Sequence, residues 1–232
     1  MLRAAAAAGL VGSGALAAAA WHRAARAGVR QVAVPPRSLL GREASSSPLA
    51  EAGGCYADAF CVRVAAPSAT AAPGALFARA FFGSPVFRVE RALLAALGFR
   101  GPTDAELSSM AFDAPGRDRV AAFTLAASTV AADGSSELLF RWAVHGRTWL
   151  AVRVLEGNAE LELLFGSALL DVPSRGRGGA SRALALGWAA VQPAHALFSR
   201  LLLAEAAAQY TCTLTRPHGG GEGPGARLER HR

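Results

Sequence analysis

Between Phe123 and Phe165 the chain reads FTLAASTVAADGSSELLFRWAVHGRTWLAVRVLEGNAELELLF. Two dipeptides punctuate this stretch. Asp133-Gly134 is a strong two-residue hairpin signal and Gly157-Asn158 a good one. Pairing outward from Asp133-Gly134 sets Phe123 opposite Val144, Leu125 opposite Trp142 and Ala127 opposite Phe140. Pairing outward from Gly157-Asn158 sets Val154 opposite Leu161, Val152 opposite Leu163 and Leu150 opposite Phe165. A slip of one residue turns every side chain to the other face, so the apolar pattern ties down each register. The middle turn admits two loops. A two-residue loop at His145-Gly146 sets Trp142 beside Trp149 and mixes polar with apolar residues on both faces. A three-residue loop over 145–147 keeps Leu138, Phe140, Trp142 and Val144 with Thr148, Leu150, Val152 and Val154. The longer loop unites four strands in one apolar face and is preferred. The opposite face carries Arg141, Trp149, Arg153, Glu160 and Glu162, with Arg153 across from Glu162, and reads as solvated.

Working outward, Tyr56 to Val64 predicts a further strand with Tyr56, Phe60 and Val62 on one side. A helix is expected from Pro73 to Gly83, presenting Leu76, Phe77, Ala80 and Phe81. A second begins with Ser84 as N-cap and Pro85 at the first helical position, presents Val86, Val89, Leu93 and Leu97, and stops at Gly98. Residues Leu107 to Phe112 suggest a short edge strand. Beyond a Gly-rich loop from Pro173 to Gly179, a last helix is expected from about Pro193 to Tyr210, with Leu197, Phe198, Leu201, Leu202 and Ala208 as its apolar stripe. The fold class is α+β: an antiparallel β-meander whose apolar face needs a cover, the long C-terminal helix being the natural one.

This order of elements, strand, two helices, meander and long helix, resembles the helix-grip fold of the START-like (SRPBCC) superfamily. Locally, Gly146-Arg147-Thr148-Trp149-Leu150-Ala151-Val152, Phe165-Gly166-Ser167-Ala168 and Leu197-Phe198-Ser199-Arg200 are similar to segments of uncharacterised bacterial proteins of that kind. The resemblance covers about 160 residues. It implies a curved sheet wrapped around the C-terminal helix, with an apolar cavity between them.

Charge divides the chain into three parts. Residues 1–50 carry six arginines against one acid, Glu43; residues 216–232 carry four against two; residues 51–215 carry fourteen of each. The sequence pI of about 10.8 therefore belongs to the ends. A nucleic-acid-binding domain carries its basic excess on the folded unit, so nucleic acid is not the expected partner. The single Arg/Gly patch, Arg175 to Gly179, is the only feature favouring RNA, and a flexible loop explains it. There is no lysine, so all 24 basic residues are arginine.

Residues 1–42 contain no acid, and an uncharged, alanine-rich run from Ala4 to Trp21 precedes Arg23, Arg26, Arg30, Arg37 and Arg42. This matches a plastid or mitochondrial transit peptide. A secretory signal with Ala18-x-Ala20 as its cleavage site, or a weak membrane anchor, are the alternatives; the run is too poor in strong apolar residues to make a stable span. With the Ser/Pro linker at 45–48, residues 1–50 are expected to be a targeting extension dispensable for folding. Residues 54–215 then form the domain, and 216–232, rich in glycine, a disordered tail.

Little here points to chemistry. Cys55, Cys61 and Cys212 form no disulfide framework, and no metal-ligand spacing, nucleophile elbow or phosphate loop occurs. No catalytic residue, cofactor or metal is expected; His145 and His195 read as surface residues, and Asp104 and Glu106 as a capping loop. Three functional classes remain: a carrier or binding module for an apolar small molecule or lipid, an enzyme using Arg147 or Arg141 to hold an acidic substrate, and a pocketless scaffold subunit. The first names Phe140, Trp142, Leu150, Val152 and Phe165 as candidate ligand-binding residues, although large apolar faces more often mean a packed core.

Overall fold

The hairpin at Gly157 forms in the expected register, with Val154 paired to Leu161, Val152 to Leu163, Leu150 to Phe165 and Arg153 to Glu162. Gly157 supplies the positive φ, 87°, that the turn requires. The computed structural model describes residues 21–47, 55–65, 73–142, 145–157, 159–170 and 178–215, with side chains in the last segment from Gln192 onward. Residues 1–20, the linker at Pro48, Val144, Asn158, most of the Gly-rich loop and the C-terminal tail lie outside the described residues.

Helix α1 covers residues 21–26. There follow β1 (Arg30–Val32), α2 (Leu39–Ser46), β2 (Tyr56–Ala65), α3 (Pro73–Gly83), α4 (Pro85–Ala96) and α5 (Asp104–Ser109). Strands β3 (Arg119–Val120), β4 (Phe123–Val130), β5 (Ser136–Trp142), β6 (Gly146–Val154) and β7 (Glu160–Leu169) lead to α6 (Gly178–Thr215). All strands pair antiparallel in one seven-stranded sheet of order β1-β2-β7-β6-β5-β4-β3. The α+β meander covered by a long C-terminal helix is thus the fold.

Two hairpins differ from expectation in register, and in the first of them Ala127 changes face, joining Leu139 on the far side of the sheet. At Asp133-Gly134 the loop is longer by a residue: Ala131 N donates to Ser135 O, Gly134 N donates to Ala131 O, and Gly134 takes φ 84°. This is the three-residue hairpin with a left-handed glycine. It shifts the near pairs by one, giving Ala127 to Leu139. A bulge between Leu125 and Ala127 then sets Leu125 against Phe140, returning both to the core. In the β5–β6 hairpin Trp142 pairs with Gly146 and Leu138 with Leu150, so the turn sits two residues earlier than expected. Because the displacement is even, the same residues share the same face.

That face holds the main core. Phe60, Val62, Leu125, Leu138, Phe140, Leu150, Val152 and Leu163 meet Phe77, Phe81 and Phe82 of α3 and Leu203, Ala206 and Tyr210 of α6. The buried stripe of α6 runs through Ser199, Leu202, Leu203, Ala206, Ala207 and Tyr210, while Phe198, expected inside, is 39% exposed. The helix continues through Pro193 rather than starting there. In α4 the Ser84 cap and Pro85 are as expected, but the stripe is not. Val89, Leu93 and Leu97 are 63%, 64% and 74% exposed, and Phe87 is the side chain α4 buries. The expected edge strand at Leu107 is α5, started by a capping box between Thr103 and Glu106.

The largest correction concerns the second face. Trp149 is not solvated but fully buried, in a second core with Leu39, Leu40, Ala59, Cys61, Leu139, Ala151 and Leu164. Its cover is the segment expected to lie outside the domain. Strand β1 extends the sheet beyond β2, and α2 seats Leu39 and Leu40 on the sheet. Polar groups hold the cover in place. Glu137 accepts from Trp149 Nε1 at 3.0 Å and from Leu39 N at 2.7 Å. Glu43 accepts from Arg147 Nε at 2.8 Å, and Arg30 reaches Glu162 at 2.9 Å. The folded unit therefore reaches back past β1 to Ala24 and Val29, both buried in the main core, and the boundary expected at Gly54 falls inside it. Among the described residues no helix is long and apolar enough to cross a membrane.

Candidate functional site

On the helix side of the sheet, the ends of β5, β6 and β7 diverge from α4 and α6 and leave a cleft of about 260 Å³. Its walls are Phe81, Phe87, Phe123, Trp142, Phe165 and Leu202; its polar members are Glu90, Thr148, Ser167, His195 and Ser199. The aromatic wall is continuous: Phe81 lies 5.0 Å from Phe165 and Phe123 lies 6.4 Å from Trp142, centroid to centroid.

Of the five expected ligand-binding residues, Trp142 and Phe165 line this cleft. Phe140, Leu150 and Val152 do not. They sit deeper along the same strands, within the core; Phe140 is met edge-on by Phe82 at 5.0 Å and Phe112 at 5.9 Å. The apolar face is one surface; α3 packs across its middle, and this cleft lies at one end of it. Arg147 and Arg141, the arginines expected to hold an acidic substrate, are paired with Glu43 on the other side of the sheet. Neither lines the cleft, so that form of enzyme has no binding group there.

The structure also assembles a polar group that no linear motif signals. Asp58 on β2 is buried and accepts from Tyr56 Oη at 2.8 Å and from Ser167 Oγ at 2.7 Å. Ser167 Oγ lies 2.9 Å from His195 Nε2. Because Ser167 gives its proton to Asp58, it accepts from His195, which fixes the proton on Nε2. His195 Nε2 is 3.7 Å from Asp58 Oδ2. In acyl-transfer triads the imidazole stands between serine and carboxylate, ready to take the serine proton. Here the serine stands between, buried, with its proton committed to the acid. The chain is therefore an anchor that holds the His195 ring at the edge of the cleft. Burial and the neighbouring carboxylate push the Tyr56 hydroxyl well above its ordinary range. His195 is thus not a plain surface residue. The pairing of Asp58 with Ser167 across β2 and β7 is the signal that joins them, and no turn residue between these distant strands announces it.

Glu90 projects from α4 into the cleft, and burial alone pushes its carboxyl up from 4.5 to about 7. Ser199 Oγ, on α6, is fully buried and makes no hydrogen bond among the described residues. No three His, Cys, Asp or Glu side chains converge as a metal site among the described residues. No protein-family model, curated protein or solved structure matches the chain.

Proposed function

We propose that the domain is a binding or carrier module for an apolar small molecule, held in the cleft between α4, α6 and the open end of the sheet. The observation that carries this proposal is a concave aromatic surface with a few polar groups converging on it, the usual composition of a small-molecule site. At roughly 30 Å³ per water-sized group, its 260 Å³ suits a body of roughly eight to ten carbons. The order of elements from β2 to α6 is in keeping with a START-like helix-grip arrangement, to which β1 and α2 are additions. Native mass spectrometry of protein taken from its own host tests the proposal. A co-purifying apolar molecule, lost in Trp142→Ala, supports it; ligand-free protein that also fails to take up octan-1-ol opposes it.

Import into a plastid or mitochondrion remains our proposal for the arginine-bearing N-terminus. Cleavage near residue 50 would strip β1 and α2 from the sheet, so a removable leader has to end ahead of β1. A fluorescent reporter fused to residues 1–50 decides the destination; recovery in the secretory pathway would sink the idea.

A further inference from the structure

The cleft holds one ionisable group with no counterpart. Glu90 has neither a hydrogen bond nor an ion pair among the described residues, although it lines an aromatic pocket and is largely withdrawn from water. A carboxylate in such a place is costly unless it takes up a proton or a cation. The chain has no lysine. The arginines of the same helix, Arg88 and Arg91, are both turned to Asp104 on α5. Among the described residues, the titratable group that α6 brings to the cleft is His195, tied through Ser167 to Asp58 and Tyr56 on β2, and the sheet adds Thr148 and Ser167 as polar lining. Opposite α4, the hydroxyl of Ser199 is buried in the cleft wall without a partner. An unpaired acid and an unpaired acceptor on facing helices, bordered by aromatic rings, suit a positively charged donor.

We propose that the cleft selects an apolar amine, its ammonium group received by Glu90 and Ser199 and its hydrocarbon body laid against Phe87, Phe123 and Trp142. This rests on the binding function proposed above and narrows it to one ligand class. A fatty acid of the same length would bring a second carboxylate to Glu90, with no arginine among the described lining residues to offset it. An alcohol could hydrogen bond there but would leave the charge uncompensated. Aromatic faces bordering the ammonium favour the cation further. Proton and ammonium compete for Glu90, so amine binding strengthens as pH rises from 6 to 8.

Calorimetric titration of the full chain with octylamine, octan-1-ol and octanoate, at pH 6 and pH 8, tests this. At pH 8 octylamine should bind about tenfold or more tighter than octan-1-ol, a margin of about 1.4 kcal/mol, and octanoate weakest. Glu90→Gln should erase the preference for octylamine over octan-1-ol and flatten the rise of amine binding between pH 6 and pH 8. Octan-1-ol binding as tightly as octylamine, octanoate binding tightest, or a preference that survives Glu90→Gln overturns the amine assignment while leaving the binding function standing. No binding of any of the three overturns both.

Discussion

Replacing Leu40 by alanine tests whether the N-terminal segment is part of the fold. Leu40 is wholly buried on α2. It rests where the sheet has been cleared for it: a Cβ on Gly166 would lie 2.8 Å from Leu40 Cδ2 and 3.0 Å from Trp149 Cε3. Leu40→Ala removes three carbons from this contact and opens a cavity over Trp149. Buried Leu→Ala changes cost about 2–5 kcal/mol, and a site closed on both sides by a helix and a sheet belongs near the middle, about 3 kcal/mol. For a domain of this size that is a fall in Tm of roughly 6–12 °C. Urea denaturation of the full chain, followed by tryptophan fluorescence, measures it. Leu97→Ala is the matched control, since that side chain is 74% exposed and its loss should change stability by less than about 0.5 kcal/mol. If the two variants unfold at the same urea concentration, α2 is not seated on the sheet, and the second core described above is wrong.

Glu90→Gln should alter the pH dependence of stability. The folded protein holds the Glu90 proton more tightly than the unfolded chain, about 7 against 4.5, so wild-type stability falls as pH rises through that window and stays lower above it. The variant should match wild type near pH 4 and exceed it by up to about 3 kcal/mol at pH 8; parallel denaturation curves at both pH values would contradict the burial of Glu90. Gly166→Ala should destabilise by about 1–3 kcal/mol, because the added methyl also meets the Asp58 carbonyl at 2.9 Å, which cannot move aside. Ser167→Ala should cost about 1–2 kcal/mol and release His195, detectable by NMR as moved imidazole carbon-bound proton signals at fixed pH; unmoved signals would mean that the hydrogen-bond chain does not hold the ring.

The parts of the fold written in local chemistry were legible. The Pro73 and Gly83 limits of α3, the Ser84-Pro85 start of α4 and the Gly157 hairpin each depend on one or two residues whose backbone preference decides the outcome. The face of the meander was legible too, because apolar parity survives an even displacement of register. What could not be read was which apolar surface meets which partner. Val89, Leu93 and Leu97 have the spacing of a buried stripe, but the chain buries Phe87 instead, and periodicity cannot tell a core from an unoccupied face. Trp149 reads as solvated for want of a cover, since arginine content drew residues 30–47 toward targeting. The cleft failed for a related reason. Its polar corner joins Asp58, Ser167 and His195 from three separate elements, and only the pairing of β2 with β7 brings the first two together.

The central claim, that the cleft takes up an apolar molecule, is tested most directly by titrating octan-1-ol into uniformly ¹⁵N-labelled protein and following the tryptophan indole N–H signals. Trp142 lines the cleft, whereas Trp149 lies on the far side of the same sheet with its indole N–H bonded to Glu137. Saturable movement of the Trp142 signal together with the Thr148 and Ser167 amides, while Trp149 stays fixed, is the predicted result. A Trp142 signal that does not respond, or shifts confined to the exposed Val89, Leu93 and Leu97 face of α4, would contradict it.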